Sequence, residues 1–437
     1  PSPTGYLHIG NARTALLCWL FAKKSGGKFM LRIDDTDGER NKEEYVDAIK
    51  EDLTWLGLGW DKTMRQSERI KEYNNVVENL KKAGRIYACY ETGEELDIKR
   101  KMQLSRGRPP IYDRAGLKLT DADRKKFEQE GRKAHFRFKL DDGAIEWNDL
   151  IRGHIKFEGK NLSDPILIRA DGTYTYMLPS SVDDAELGIT HVIRGEDHIT
   201  NTAIQIQILQ ALGANIPAFA HNSFVKTKEG KLSKREGSFS LRDMRKEGIE
   251  PMAINSFLAK VGTSDQIEIR ASLEDLAKEF DFSKFSKSAT FYAEEDILRL
   301  NTQLIHTMSF ADAKSRLAEV GLEKVDEEFW ESVRPNLTKF SEIKDWWRIC
   351  KEDLAPVIDD AEFTSLASQH LPDGNWNTET WGKWVEELKQ KTGRKGKDLF
   401  MPLRKAITGM DHGPELKNLL PLIGRAKVIA RLNGKAA

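Results

Sequence analysis

Cysteine is scarce in this 437-residue chain. Cys18, Cys89 and Cys350 lie far apart, and no two share a CxxC spacing. Neither a disulfide framework nor a cysteine-built zinc site is expected, and each thiol reads as a small buried hydrophobe. No run of about 18 apolar residues occurs, so no membrane-spanning helix is expected. No signal-peptide pattern opens the chain. An excess of one charge is also lacking, since 69 Lys and Arg balance 69 Asp and Glu. Net charge therefore names no partner, and any surface for nucleic acid has to be local. Internal repeats and low-complexity tracts are missing as well. Together these absences read as a cytoplasmic globular protein. The chain opens at Pro1 rather than Met, so a short native segment with a first strand is expected upstream.

The length predicts roughly two to four domains, and 39% hydrophobic residues are enough for real cores. The most informative stretch is the first, Pro1-Ser2-Pro3-Thr4-Gly5-Tyr6-Leu7-His8-Ile9-Gly10-Asn11. Two prolines fix φ in a rigid turn. Gly5 permits a bend, and Gly10 lets another molecule approach the backbone. Ile9, Ala12, Leu16 and Leu20 then mark one face of a helix, with Ala15 and Trp19 beside it. Ser25-Gly26-Gly27 stops it. A polar loop leading into a helix N-terminus is an anion site, and His8 stands where a phosphate would lie.

A strand-like run at 29–33 and the polar turn Asp34-Asp35-Thr36-Asp37 follow. Tyr45, Val46, Ile49, Leu53 and Leu56 predict an amphipathic helix. Gln66-Ser67-Glu68-Arg69 begins another, with Ser67 as N-cap. A strand at 86–90 follows. This rhythm implies a parallel sheet with ligands at the carboxyl ends of its strands. From about 86 to 175 the character changes to a basic linker, Arg106–Pro110, and strand-like pieces near 134–140, 144–148, 155–157 and 165–170. Asp171-Gly172 is a hairpin signal. The helix–strand rhythm returns through Tyr176, Val182–Asp184 and His191–His198. A Gly-bearing loop holds Lys226, Lys228 and Lys231-Leu232-Ser233-Lys234-Arg235. Beyond about 240 the pattern is mostly helical, and Trp346, Trp347, Trp381 and Trp384 read as core.

PSPTG with HIGN at the start and KLSKR some 220 residues later resemble the two signature motifs of class I aminoacyl-tRNA synthetases. Arg32–Asp37, Gln66–Arg69, Gly107–Pro110, Asp171–Asp184, Val192–His198 and Gly393–Arg404 narrow the resemblance to bacterial glutamyl-tRNA synthetases. It covers essentially the whole chain. It implies an α/β Rossmann-type catalytic domain, split as residues 1–85 and 176–225, around an α+β acceptor-end-binding insertion at 86–175. A KLSKR loop and stem-contact region follows at 226–309, then an all-α anticodon-binding domain at 310–437.

The implied reaction joins L-glutamate to ATP as glutamyl-adenylate, then passes the glutamyl group to the 3′-terminal adenosine of the glutamate tRNA. His8, Lys231 and Lys234 are the implied catalytic residues; Gly10, Asn11 and Ser233 join them around ATP. Ser2, Asp34, Tyr176, Ser180 and Arg194 are the implied glutamate contacts, with Asp34 on the α-ammonium and the Arg194 fork on the γ-carboxylate. Mg²⁺ is expected to arrive on the ATP phosphates and water, with no protein-built metal site. A monomer is the family expectation. Three departures stand out: Asn11 where the general motif has His, Asp34 where many relatives have Glu, and Asp197-His198 for an acidic–aromatic pair. The resemblance also places an arginine just upstream of PSPTG. Alternatives are charging of the glutamine tRNA as well, a glutaminyl enzyme, a truncated enzyme that glutamylates a tRNA base, a small nucleotidyltransferase, or a non-catalytic tRNA-binding paralogue. The helical C-terminal region, the scarce cysteines and the presence of His8 and Lys234 argue against the last four.

Overall fold

Helix α1 (Ile9–Lys24) begins and ends where the apolar spacing places it, with His8 as N-cap and Ser25 as C-cap. The computed structural model describes residues 1–38, 40–227 and 240–437. Ile9, Ala12, Leu16 and Leu20 are buried, and so is Arg13, which an apolar pattern does not anticipate. The Arg13 guanidinium donates to the carbonyls of Ser223 (3.1 Å) and Val261 (2.9 Å), fastening α1 to two distant loops. Burial lowers its pKa to about 10. Gly26 ends the helix at φ 62°, a conformation that costs glycine little.

Strand β1 (Met30–Ile33), helix α2 (Glu43–Trp55) and strand β2 (Lys62–Arg65) follow, and β1 and β2 run parallel. Helix α3 (Ile70–Lys82) is entered through a 3₁₀ turn at Gln66–Arg69. Ser67 is not its N-cap: α3 starts later and has no side-chain cap. The Ser67 hydroxyl and N–H both donate to Asp35 instead, at 2.8 Å each. Strand β3 (Ile86–Cys89) also departs from expectation. It leaves the parallel arrangement and pairs antiparallel with β4 (His135–Phe138), which pairs antiparallel with β7 (Ile166–Ile168).

Between β3 and β4 lie α4 (Gly93–Ser105) and α5 (Asp121–Gln129). Neither buries a residue, so neither shows an apolar face in the sequence. Strands β5 (Ala144–Asp149) and β6 (Gly153–Glu158) form an antiparallel hairpin. The Asp171-Gly172 turn forms with Gly172 at φ 87°, and Ile168 bridges Tyr174 across it.

Helix α6 (Met177–Glu186) leads to β8 (His191–Gly195), α7 (Ile199–Ala211) and β9 (Ala218–Asn222). Strands β8 and β9 are parallel, with Arg194 opposite His221. Lys226, expected in a loop, lies on β10 (Val225–Thr227), which runs parallel to β11 (Thr290–Tyr292). Helices α8 (Leu241–Lys246), α9 (Pro251–Lys260) and α10 (Leu273–Glu279) lie between these strands in sequence.

The chain divides into two compact units. The first is Pro1–Asp243 with Asn255–Glu294, and part of its core is Tyr73, Phe138, Leu178, Ile208 and Phe219. The second is Met244–Ile254 with Glu295–Ala437. Its helices close around Phe329, Trp330, Trp384, Leu403 and Leu419, with Trp346 buried and Trp347 and Trp381 packed alongside. Gly393 (φ 70°) ends the helix Thr380–Thr392 ahead of the helix Lys397–Thr408. Among the described residues, no helix is long and apolar enough to cross a membrane.

Candidate active site

The His8 imidazole bends over the start of α1, where its Nδ1 accepts from the N–H groups of Gly10 (3.1 Å) and Asn11 (3.4 Å). An accepting Nδ1 leaves the proton of the neutral ring on Nε2. Burial holds the His8 pKa below its ordinary value and so favours that neutral form. Glycine at position 10 leaves room for the ring, since a Cβ there would sit 3.0 Å from His8 Cε1. The close approach read from Gly10 is therefore made by the chain's own ring. The two N–H groups are not free for a phosphate; they set the tautomer that turns Nε2–H outward. Gly5 adopts no left-handed conformation. Lys231, Ser233 and Lys234 lie outside the described residues. Ser240 bridges antiparallel to His8, and Leu241 N–H donates to Leu7 O (3.2 Å).

The carboxyl end of β1 carries a web of ion pairs. Arg32 Nε donates to Asp34 Oδ1 (2.8 Å), Nη1 to Asp184 Oδ1 (2.8 Å) and Nη2 to the Ser180 hydroxyl (3.3 Å). Ser180 is buried, so it meets Arg32 rather than open space. Asp34 Oδ2 makes no hydrogen bond among the described residues. Burial acts to raise the Asp34 pKa, and Arg32 pulls it down against that burial. Burial raises Asp184 against the pull of Arg32. The Asp34 N–H donates to Pro1 O (2.9 Å), which brings the exposed Ser2 next to this web. Asp183, wholly buried, accepts from Gln66 Nε2 (2.8 Å), Arg69 Nε (2.9 Å) and Tyr73 Oη (3.0 Å). With Arg32 Nε 3.9 Å away, the motifs Arg32–Asp37, Gln66–Arg69 and Asp171–Asp184 meet at this carboxylate.

Arg194 closes the other side, at the carboxyl end of β8. Its Nη2 donates to Thr202 Oγ1 and Gln205 Oε1, both at 2.6 Å, and its Nε lies 3.5 Å from His221 Nε2. Nη1 has no partner among the described residues. No carboxylate there comes within ion-pair distance, Asp197 included; Asp197 lies 3.6 Å from His198 instead. Burial lowers the Arg194 pKa. Tyr176, the residue before α6, is 40% exposed; burial raises its pKa, opposed by the nearby Arg194. Its ring meets His198 edge-on at 6.1 Å.

Sequence reasoning passed over Asp149, Thr202, Gln205 and His221. A lone histidine in the apolar strand Ala218–Asn222 was the only signal. It also missed that Cys89, Glu91 and His135 bring donor atoms within 4.8 Å of one another, because only the β3–β4 pairing joins them. A cavity of 370 Å³ beside α4 is lined in part by Arg100, Arg106, Arg108 and the buried Arg137, which puts the basic linker on a concave surface.

The comparisons with known proteins agree with this layout. Residues 1–299 match the family model for tRNA synthetases class I (E and Q), catalytic domain, and residues 306–435 that of an anticodon binding domain. Glutamate–tRNA ligase 1 of Parvibaculum lavamentivorans is 53% identical over 437 residues, covering 99% of this chain and 97% of the relative. Glutamate–tRNA ligase 2 of Ehrlichia canis is 51% identical over 436 residues, covering 99% and 98%. The crystal structure of a glutamate tRNA ligase from Elizabethkingia meningosepticum in complex with its amino acid superposes with a TM-score of 0.83 at 30% identity, covering 99% and 97%. This chain therefore belongs to the glutamate–tRNA ligases, class I aminoacyl-tRNA synthetases that use ATP, glutamate and tRNA.

Proposed function

We propose that Arg194 selects the glutamate by its side-chain carboxylate and that His8, with Lys231 and Lys234, carries the phosphate chemistry. The observation that bears most weight is the state of Arg194: among the described residues its guanidinium hydrogen-bonds neutral acceptors and no carboxylate, which leaves its charge for a ligand. A fork of this shape fits a carboxylate, and a neutral amide would leave it unpaired. Asp34 Oδ2 takes the α-ammonium, while Arg32, itself bonded to Ser180, holds Asp34 in place. Tyr176 and Ser2 supply polar contacts to the same amino acid.

An α-carboxylate oxygen of glutamate attacks the α-phosphorus of ATP, and the bond to diphosphate breaks. His8 Nε2–H donates to a phosphate oxygen as charge builds, with Gly10 and Asn11 backing the ring. Lys231, Ser233 and Lys234 hold the leaving diphosphate. A hydroxyl of the terminal adenosine then attacks the glutamyl carbonyl and AMP leaves. Mg²⁺ rides on the ATP phosphates. Among the described residues the one cluster of three metal donors, Cys89–Glu91–His135, is a sulfur, oxygen and nitrogen set and does not suit an ion that prefers oxygen ligands.

The insertion at 86–175 takes the acceptor end, the region at 226–309 the stem, and the helices of 310–437 the anticodon. We read the protein as a monomer, as its resemblance to the family implies. The cytoplasm suits its free cysteines.

The test is aminoacylation with labelled glutamate on purified glutamate and glutamine tRNAs, assayed separately. Charging of the glutamate tRNA alone makes this a discriminating enzyme. Charging of both makes it non-discriminating. Charging of neither, by a chain that still binds ATP, sinks the assignment.

A further inference from the structure

Arg194 is aimed by a one-way chain of hydrogen bonds that begins at a residue with no part in the proposed site. Asp149, the last residue of β5, is 4% exposed. Its Oδ1 accepts from the N–H groups of Ile151 (3.0 Å), Arg152 (3.0 Å) and His221 (3.2 Å). Its Oδ2 lies 2.5 Å from His221 Nδ1. Burial acts to raise the Asp149 pKa, but the His221 bond and the N–H groups hold it below its ordinary value, so a carboxylate faces the ring. A carboxylate at Nδ1 puts the imidazole proton there and leaves Nε2 as an acceptor.

That acceptor meets Thr202 Oγ1 at 2.8 Å, and Thr202 Oγ1 in turn accepts from Arg194 Nη2 at 2.6 Å. The Thr202 hydroxyl also has the His198 carbonyl within reach at 3.1 Å, but His221 Nε2 is closer and, with its proton on Nδ1, can only accept; the Thr202 proton turned to it makes Arg194, Thr202, His221 and Asp149 each donate to the next. All three supporting side chains are buried, and Phe219 floors the chain, its ring stacked on His221 at 15° and lying under the Arg194 guanidinium.

The arrangement answers a specific need. An arginine that must meet a substrate carboxylate has to be held still, yet a carboxylate beside it would consume its charge. Here no carboxylate among the described residues lies within ion-pair distance of Arg194; Asp184 and Asp197 act on it only from farther off, and Asp149 reaches it through two neutral groups. We propose that His221, locked by Asp149 and acting through Thr202, is a positioning residue that aims the Arg194 guanidinium at the side-chain carboxylate of glutamate. This rests on the reading of Arg194 given above. His221 touches no substrate in this scheme.

The test is aminoacylation of the glutamate tRNA by the full chain, with glutamate and ATP varied in turn. The variants are His221→Leu, His221→Gln, Thr202→Val and Thr202→Ser, with Arg194→Ala as control. His221→Leu and Thr202→Val are expected to raise the KM for glutamate at least tenfold and leave the KM for ATP within about twofold. Gln restores an acceptor near the Nε2 position and Ser restores the hydroxyl, so both are expected to recover most of the loss. Thr202→Val keeps the buried shape and serves if His221→Leu does not fold. A merely structural role would lower the active fraction and kcat, with both KM values unmoved and no rescue; that result overturns the proposal. Unchanged glutamate KM in Thr202→Val and His221→Leu, with Arg194→Ala impaired, overturns the positioning role alone. Unchanged glutamate KM in Arg194→Ala overturns both readings.

Discussion

Replacing Asp183 by alanine is expected to destabilise the first unit severely without touching any group assigned to substrate. The carboxylate is wholly buried and accepts from Gln66, Arg69 and Tyr73, with Arg32 Nε 3.9 Å away. Alanine would strand the Gln66 amide and the Tyr73 hydroxyl, both fully buried, and leave Arg69 only its pair with Glu186. Removing one partner of a buried ion pair costs about 3–5 kcal/mol. At roughly 2 °C per kcal/mol for a unit of this size, the midpoint falls by about 6–10 °C. Asp183→Asn keeps an acceptor oxygen and is expected to lose less, about 1–2 kcal/mol. Thermal unfolding gives the totals, and hydrogen exchange followed by mass spectrometry assigns them. Faster exchange is expected in α3 and α6 and none in the helices of the second unit. A loss under about 1 kcal/mol in the alanine variant, or one confined to the second unit, would refute the reasoning.

Other consequences can be checked singly. His8→Ala removes both the N-cap and the outward Nε2–H, so about 1 kcal/mol of stability and roughly 10²–10³ in the rate of glutamate activation are expected to go. His8→Asn, a good N-cap, is expected to melt like the wild type yet stay slow; wild-type charging by it would remove His8 from the chemistry. Because Asp149 has a depressed pKa in the folded state, its contribution is complete above about pH 4 and lost as pH falls through the folded value. The stability gap between wild type and Asp149→Asn, read from urea midpoints, is therefore expected to shrink from pH 7 to pH 3; a constant gap contradicts it. Burial pushes the thiols of Cys18 and Cys350 up to about 12 and that of Cys89 to about 11, so a thiol reagent at pH 8 is expected to react fast only after denaturation. Finally, tRNA affinity is expected to fall steeply with salt, and a flat titration would speak against a phosphate-led interface.

The sequence was most legible where a single element carried the signal. The 3.6-residue spacing of Ile9, Ala12, Leu16 and Leu20 placed α1, and Asp171-Gly172 placed a turn. It was least legible where polar groups satisfy one another across the fold. Ser67 has every property of an N-cap, but Asp35 competes for its hydroxyl from another segment. Strand β3 follows α3 as in a βαβ unit, yet its partner lies near residue 135, beyond two helices. Those helices bury no residue and so have no apolar period; their capping boxes, Thr92–Glu95 and Thr120–Asp123, were the readable sign. In the site, the resemblance pointed to His8, Asp34, Tyr176 and Arg194. Only the fold showed that the Gly10 and Asn11 N–H groups bond to His8, that Ser180 lies behind Arg32, and that Arg194 hydrogen-bonds neutral acceptors among the described residues. The Arg32–Ser180 contact joins residues 148 positions apart, whereas the His8 cap is local and depends on how the ring turns.

The central claim is that an uncompensated Arg194 chooses glutamate by its charge. The direct measurement is the ratio of kcat/KM for glutamate over glutamine in charging of the glutamate tRNA, by the wild type and by Arg194→Ala. A site whose buried polar group is left unpaired by the wrong ligand discriminates by roughly 10⁴ or more. The account predicts a ratio of that order for the wild type, collapsing towards parity in the variant through loss of glutamate use. A ratio that survives the loss of Arg194 would contradict it.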